Sequence, residues 1–259
     1  MAQNRMREVV IDCFPRNARL YRRDYTMVAI DVIRATTTAI TAVASGRRCF
    51  PASSVADALS LASQLNNPVL VGELGGNTPY GFDMTNSPAE IELRQDIERP
   101  MVLLSSAGTQ LICESRSDNG TFLACFRNYS SLALYLSAHA SKVAVLGAGT
   151  RGEFREEDEM CCAWIAGILM QSGFDPVNDR TIQIVNRWKG THVDECLVSN
   201  SVEYLRNTGQ TRDLDFVLNH DNDLNAVFRL RDREVVMLPV SRPADNQLHD
   251  IGKLITREI

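Results

Sequence analysis

An α/β fold is what this sequence predicts, and three observations predict it. Short apolar runs near Thr26, Pro68, Met101 and Val143 have the composition of buried strands. Each runs into a loop of glycines, hydroxyls or acids. Helix-start or helix-period signals follow, so that strand, loop and helix recur in the order of an α/β unit.

Met27, Val28 and Ile30 form the first run, which ends at Asp31. Ala39, Ile40, Val43 and Ala44 then share one helical face, and Gly46 suits the position after the helix. Pro68 to Val71 reads as a buried strand. After a long loop, Ser87-Pro88-Ala89-Glu90 reads as a helix start, with Ser87 as cap, Pro88 at the first helical position and Glu90 closing a capping box. Met101 to Leu104 is a strand entering Ser105-Ser106-Ala107-Gly108-Thr109. Val143 to Gly147, a helix over Glu156 to Gln171 and then Ser172-Gly173 repeat the plan of residues 26–46. The expectation is one domain over residues 1–259, with two related strand-loop-helix halves, 1–140 and 141–259. Later, Thr181 to Trp188 suits strand or helix, Val193 to Arg206 a helix before Gly209, and Val235 to Leu238 a strand.

With 44% hydrophobic and 23% charged residues, 259 residues suffice for one large core or two smaller ones. The net charge of −5 and the absence of a basic run disfavour nucleic acid as a partner. The sequence lacks an apolar span of membrane length, and its polar start does not read as a signal peptide, so the expectation is a cytoplasmic protein off the membrane. Seven cysteines, an odd number without a Cys-x-x-Cys pair, suggest reduced thiols. Cys161 and Cys162 stand in an apolar helical run with Trp164, Ile165, Ile168 and Leu169, which suits packing. A homo-oligomer is only the base-rate expectation.

The loops supply the chemistry. Asp31 stands at a strand's carboxyl end, the edge where open α/β sheets bind ligands. Thr36, Thr37 and Thr38 offer hydroxyls beside free helix-start N–H groups, and Arg34 can grip an oxyanion with two hydrogen bonds. In the loop from Gly72 to Pro88, Glu73 can hold a cation, Gly75 and Gly76 let backbone N–H groups approach an anion, and Asn86 and Ser87 close it with an amide and a hydroxyl. Ser106, Gly108 and Thr109 can surround a phosphate or sulfonate, although a serine-rich turn capping its own helix is the commoner event. Gly147-x-Gly149-Thr-x-Gly152 is a poor dinucleotide fingerprint because the helix begins late and its acidic start repels a pyrophosphate. The acids Glu156 to Glu159 are of a kind usually solvated at a helix start. His192, His220 and His249 stand isolated.

Together, Asp-Val-Ile-Arg-Ala-Thr-Thr (31–37), Gly-Glu-Leu-Gly-Gly (72–76), Gly-Phe-Asp-Met-Thr-Asn-Ser-Pro (81–88) and Ser-Ser-Ala-Gly-Thr (105–109) resemble the 2-phosphosulfolactate phosphatases, the ComB family. The likeness continues through residues 147–158 and, more faintly, Asp213 to Pro239, so it covers most of the chain. It implies a layered α/β/α fold with a mixed sheet. It also implies Mg²⁺-dependent hydrolysis of 2-phospho-3-sulfolactate to sulfolactate and phosphate in coenzyme M synthesis. The pair Glu157-Asp158 resembles an acidic pair of the family, which makes one of them a candidate metal ligand or site acid.

On that reading Asp31, Glu73 and one of Glu157 or Asp158 hold Mg²⁺. Arg34, Arg151, Thr36, Thr37, Gly75, Gly76, Ser87 and Ser106 face a small anionic phosphorylated substrate. Asp31 invites comparison with the nucleophilic aspartate of haloacid-dehalogenase phosphatases, but Ile33 replaces their second acid, which favours a ligand or base. The chain departs from the family pattern at Leu74, where arginine is usual, at Thr85, where glycine is usual, and at Ser105-Ser106-Ala107, where Thr-Thr-Asn is usual. These departures keep open another small phosphorylated hydroxy acid as substrate, or an anion-binding paralogue without turnover.

Overall fold

The computed structural model describes residues 6–149 and 152–239. The strands are β1 (Glu8–Cys13), β2 (Thr26–Ile30), β3 (Cys49–Ala52), β4 (Val69–Gly72), β5 (Met101–Leu104), β6 (Thr121–Ala124), β7 (Lys142–Gly147), β8 (Asp175–Pro176), β9 (Ala226–Arg231) and β10 (Glu234–Pro239). The helices in the first half are α1 (Ala18–Tyr21), α2 (Ala35–Ala44), α3 (Val55–Ala62), α4 (Pro88–Leu93), α5 (Gly108–Glu114) and α6 (Tyr129–His139). They are followed by α7 (Glu156–Gln171), α8 (Asp179–Trp188), α9 (Asn200–Asn207) and α10 (Thr211–Asn219).

One sheet takes in all ten strands, in the order β4-β5-β3-β10-β9-β6-β2-β7-β1-β8. Strands β6, β2, β7, β1 and β8 form one parallel block, and β4, β5 and β3 form another. The hairpin of β9 and β10 joins the blocks, pairing antiparallel with β6 on one side and β3 on the other. The sheet is therefore mixed, and the residues either side of position 140 share it, since β7 lies between β2 and β1.

Burial on both faces explains why the central strands read as continuous apolar runs: every residue of β2 and β5 is buried. Helices α2 and α5 lie between the blocks, where Ile40 and Ile112 share a core with Met27, Ala29, Val71 and Leu103. The other face of the first block, including Val28, Ile30 and Val145, is covered by Leu132 of α6 and by Met160, Cys161 and Cys162 of α7. Beyond the second block, Ala58 and Leu61 of α3 pack on Phe50 and Val102. This is the expected layering of helices and sheet, and the adjacent cysteines serve as packing.

The two blocks run in opposite nominal directions, yet the ends of β2, β4 and β5 meet. Twist of roughly 20–25° per strand interval, accumulated across the strands between β2 and β5, turns the second block by on the order of 100°. The helix starts follow their capping chemistry. Ser87 accepts from the Glu90 N–H at the head of α4, and Gly46, at φ 90°, follows α2. Thr181 to Trp188 is helical, with Asn178 as cap of α8. The single helix expected over Val193 to Arg206 is instead a 3-10 turn, Val193–Val198, followed by α9. Ser199 breaks it because its hydroxyl caps the Val202 N–H and starts a new helix.

Candidate active site

Asp31 directly follows β2 and is 8% exposed. Its backbone is held by Thr36, whose hydroxyl accepts from the Asp31 N–H at 3.0 Å and donates to the Asp31 carbonyl at 2.8 Å. The Thr37 hydroxyl donates to the Val32 carbonyl at 2.7 Å, and the Thr38 hydroxyl contacts the carbonyls of Arg34 and Asn86. Thr36 and Thr37 are thus buried supports of the acid's loop, each donating to backbone. Oδ2 of Asp31 overlies Gly108 so closely that a Cβ there would sit 2.0 Å from it. Glycine at 108 is what lets the start of α5 reach the acid.

Arg34 is also buried. Its Nη1 donates to Asp213 Oδ2 and, at 2.5 Å, to Gln210 Oε1, while Nη2 contacts Thr85 Oγ1 at 3.4 Å. Asp213 Oδ1 accepts from the Ser87 hydroxyl and, at 3.3 Å, from the Ala89 N–H. Asn86 is buried beside it and holds the loop through Thr38.

Glu73 leaves β4 and turns to the loop after β5. Oε1 accepts from the Ser106 N–H at 2.8 Å, and Oε2 from the Gly76 N–H at 2.8 Å and the Ser106 hydroxyl at 3.0 Å. The Gly75 N–H donates to Ser106 Oγ at 2.8 Å. The two glycines and Ser106, expected to face an anion, here hold an acid in place. Ser105 and Thr109 cap each other's N–H groups at 2.9 Å, and Thr109 is fully buried. On α9, Tyr204 donates its hydroxyl to the Gly76 carbonyl at 2.8 Å.

The expectation of a solvated acidic start to α7 is corrected for its two middle acids. Glu157 and Asp158 are 1% and 3% exposed. Asp158 Oδ1 accepts from the Val32 N–H at 2.8 Å, which ties α7 to the residue beside Asp31. Glu157 lies by Ser199 and Ser201, and its Oε2 has no partner among the described residues. Burial pushes the Asp31 carboxyl up to about 7, helped by the charges of Glu73 and Glu157 and opposed by the Ala35 N–H and Arg34. Burial likewise raises Asp158 well above the carboxylate range, with Asp31 and Glu157 adding repulsion. Glu157 rises by burial too. Burial first, and then mutual repulsion, therefore favour the neutral forms of these acids in the absence of a cation.

Among the described residues, three or more acids, histidines or cysteines do not converge with metal-holding geometry. Of the predicted ligands, Glu73 is turned to Ser106 and Gly76, whereas Asp31 and Asp158 are joined through Val32. Arg151 and His249 lie outside the described residues. Gly149, at φ 60°, packs where a Cβ would meet Cys13 Sγ at 2.6 Å and the Phe14 ring at 2.7 Å, so this glycine serves close packing. His192 pairs at the surface with Asp194, and His220 bonds the Phe216 carbonyl at 2.8 Å. Sequence reasoning missed Tyr204, Gln210 and Asp213 as site residues. An acid in the first turn of a surface-patterned helix, like Asp213, carries no local signal.

A family model described as 2-phosphosulpholactate phosphatase matches residues 14–233, a span holding Asp31, Arg34, Glu73, Glu157, Asp158 and Asp213. Fold and match define the class: an α/β phosphoric monoester hydrolase. Within it, the chain belongs to the 2-phosphosulfolactate phosphatase family. Three relatives are each named "Probable 2-phosphosulfolactate phosphatase". That of Carboxydothermus hydrogenoformans is 30% identical over 74% of this chain and 81% of its own length. Those of Pseudothermotoga lettingae and Prochlorococcus marinus are 32% and 28% identical, over 64% and 84% of this chain and 70% and 89% of their own lengths. Among the described residues, no helix is long and apolar enough to cross a membrane.

Proposed function

We propose that this chain hydrolyses 2-phospho-3-sulfolactate to sulfolactate and inorganic phosphate, as a step of coenzyme M synthesis. The observation that carries the reading is the family match over residues 14–233, with Asp31, Glu73 and Arg34 drawn together at the ends of strands it spans. A cytoplasmic site of action goes with this reading, because all seven cysteines are free.

A divalent cation suits the donor set. Buried carboxylates repel one another, and one Glu157 oxygen lacks a partner among the described residues. Asp31 and Asp158 are the pair best suited to hold Mg²⁺, an ion that keeps several waters and needs one or two carboxylates, and Glu157 and Glu73 would add negative charge around it. When bound, Mg²⁺ supplies charge neutralisation to the phosphate oxygens.

The chain's own groups do the rest. Arg34 holds a phosphate or sulfonate oxygen through the donors not directed at Asp213 and Gln210. Ser87 and Asn86 border that position. Asp31 serves here either as a ligand to the cation or, where the cation is held elsewhere, as a general base: without metal its carboxyl is raised to about 7, which suits taking a proton from an attacking water. Glu73, fixed by three donors, orders the loops that close over the substrate.

A second reading, hydrolysis of another small phosphorylated hydroxy acid, is favoured by Leu74. Its side chain is 38% exposed at the tip of the Glu73 loop and offers no charge to a sulfonate. Phosphate release from 2-phospho-3-sulfolactate, phospholactate and phosphoglycolate, with Mg²⁺ and with chelator, tests both. Fastest release from the sulfonate, abolished by chelation, is expected. Preference for either other substrate moves the assignment to the second reading, and silence on all three refutes turnover of this class.

A further inference from the structure

Asp213 belongs to no strand-end loop, yet its two oxygens reach into two of the site's segments. It is 3% exposed in the first turn of α10. Oδ2 takes Arg34 Nη1, and Oδ1 takes the Ser87 hydroxyl together with the Ala89 N–H. Gln210, just before the helix, accepts from the same Nη1. One end of the guanidinium is therefore fixed by two acceptors, while Nη2 has, among the described residues, only the 3.4 Å contact with Thr85. A guanidinium is a rigid plane of donors, so fixing one end sets the direction of the others. Because the same carboxylate holds Ser87, it also sets the placement of Arg34 relative to the start of α4.

We infer that Asp213 is a positioning residue: it orients Arg34 and Ser87 as one unit, so that the remaining donors of Arg34 meet the anionic substrate. This rests on the phosphatase reading above. A purely structural ion pair, tying α10 to the body, predicts something different. A negative charge beside Arg34 weakens its pull on an anion. If position did not matter, removing that charge would tighten anion binding. Positioning predicts the opposite sign.

The experiment compares the wild type with Asp213→Asn, Gln210→Ala, Arg34→Ala and the Asp213→Asn/Arg34→Ala double variant. It measures phosphate release from 2-phospho-3-sulfolactate, binding of inorganic phosphate by calorimetry, and melting temperature. Asp213→Asn is expected to raise KM, weaken phosphate binding and lower kcat/KM by about 10²-fold, the loss that a small misplacement of a binding group brings. Gln210→Ala should shift KM the same way by less. In the Arg34→Ala background, Asp213→Asn should cost much less than in the wild type, only what the release of Ser87 costs, because most of its effect passes through Arg34.

Tighter phosphate binding in Asp213→Asn, or losses that multiply in the double variant, would overturn the inference. If Asp213→Asn does not fold, an unchanged KM and phosphate affinity in Gln210→Ala overturns it instead. Phosphate binding that follows the expected pattern without hydrolysis by the wild type refutes the phosphatase reading alone and leaves the positioning role supported.

Discussion

Two loops each carry one acid of the site, and they hold it by opposite means. Asp31 sits in the short connection between β2 and α2, wired by buried threonines and packed on Gly108. Glu73 opens a long connection to α4, is held by backbone and serine donors, and stands beside exposed Leu74, with exposed Tyr80 further along. The first acid takes its geometry from the core and the second from a surface loop. On the proposed function, chemistry that must not vary would rest on the first, and substrate choice could be altered at the second without disturbing the core.

The largest expected effect falls on the core-held acid. Asp31→Asn should lower kcat about 10²–10⁴-fold, the range of a lost general acid or base, with the circular dichroism spectrum unchanged. The same variant tests the effect of burial on that carboxyl. The folded Asp31 carboxyl keeps its proton to higher pH than the unfolded one, so from about pH 4 to 7 folding binds protons and rising pH destabilises the fold. In chelator, the melting temperature of the wild type should therefore fall across that window more than that of Asp31→Asn, and Mg²⁺ should restore it. Parallel curves would remove Asp31 as the source.

Glu73→Gln should cost less, about 10–100-fold in kcat/KM, the usual loss on altering a group that orders a site. A loss as large as that of Asp31→Asn would erase the contrast between the loops. The glycines sharpen it further. Gly108→Ala places a Cβ 2.0 Å from the Asp31 carboxylate and 2.6 Å from the Ala35 Cβ, and should cost about 1–3 kcal/mol of stability together with activity. Gly75→Ala meets no atom within 4 Å but is held at φ 60°, so its cost should be about 1 kcal/mol of backbone strain. Denaturant titration measures both. The smallest effect is expected of Leu74→Arg: up to about fivefold lower KM for the sulfonated substrate, the scale of an exposed ion pair, at unchanged melting temperature. An unchanged KM would mean that this loop tip does not meet the sulfonate.

What the sequence disclosed follows the same division. The strand from Met27, the helix cap at Ser87 and the helix from Glu156 were legible because local patterning and capping determine them. The acids were legible as residues at strand ends. The partners of the site residues were not, because they come from distant segments: Asp213 for Arg34, Ser106 for Glu73, Val32 for Asp158. Nor did composition tell that Glu157 and Asp158 are buried, since a helix start rich in acids looks solvated until its neighbours are known. The reversal of strand direction between the blocks was hidden for the same reason, as it depends on a hairpin far along the chain.

That hairpin sets the timing of assembly. β9 pairs with β6, and β10 pairs with β3 through Val235 opposite Cys49, the second contact spanning most of the chain. A ribosome extrudes both parallel blocks long before the two strands that bridge them. Each block must wait with an unpaired edge, a state that is slow to resolve and prone to aggregate. The candidate site, which draws residues from both blocks, is thus framed by the whole sheet only when synthesis has passed residue 239, and a nascent chain stalled short of it carries the candidate acids without the bridge between their strands.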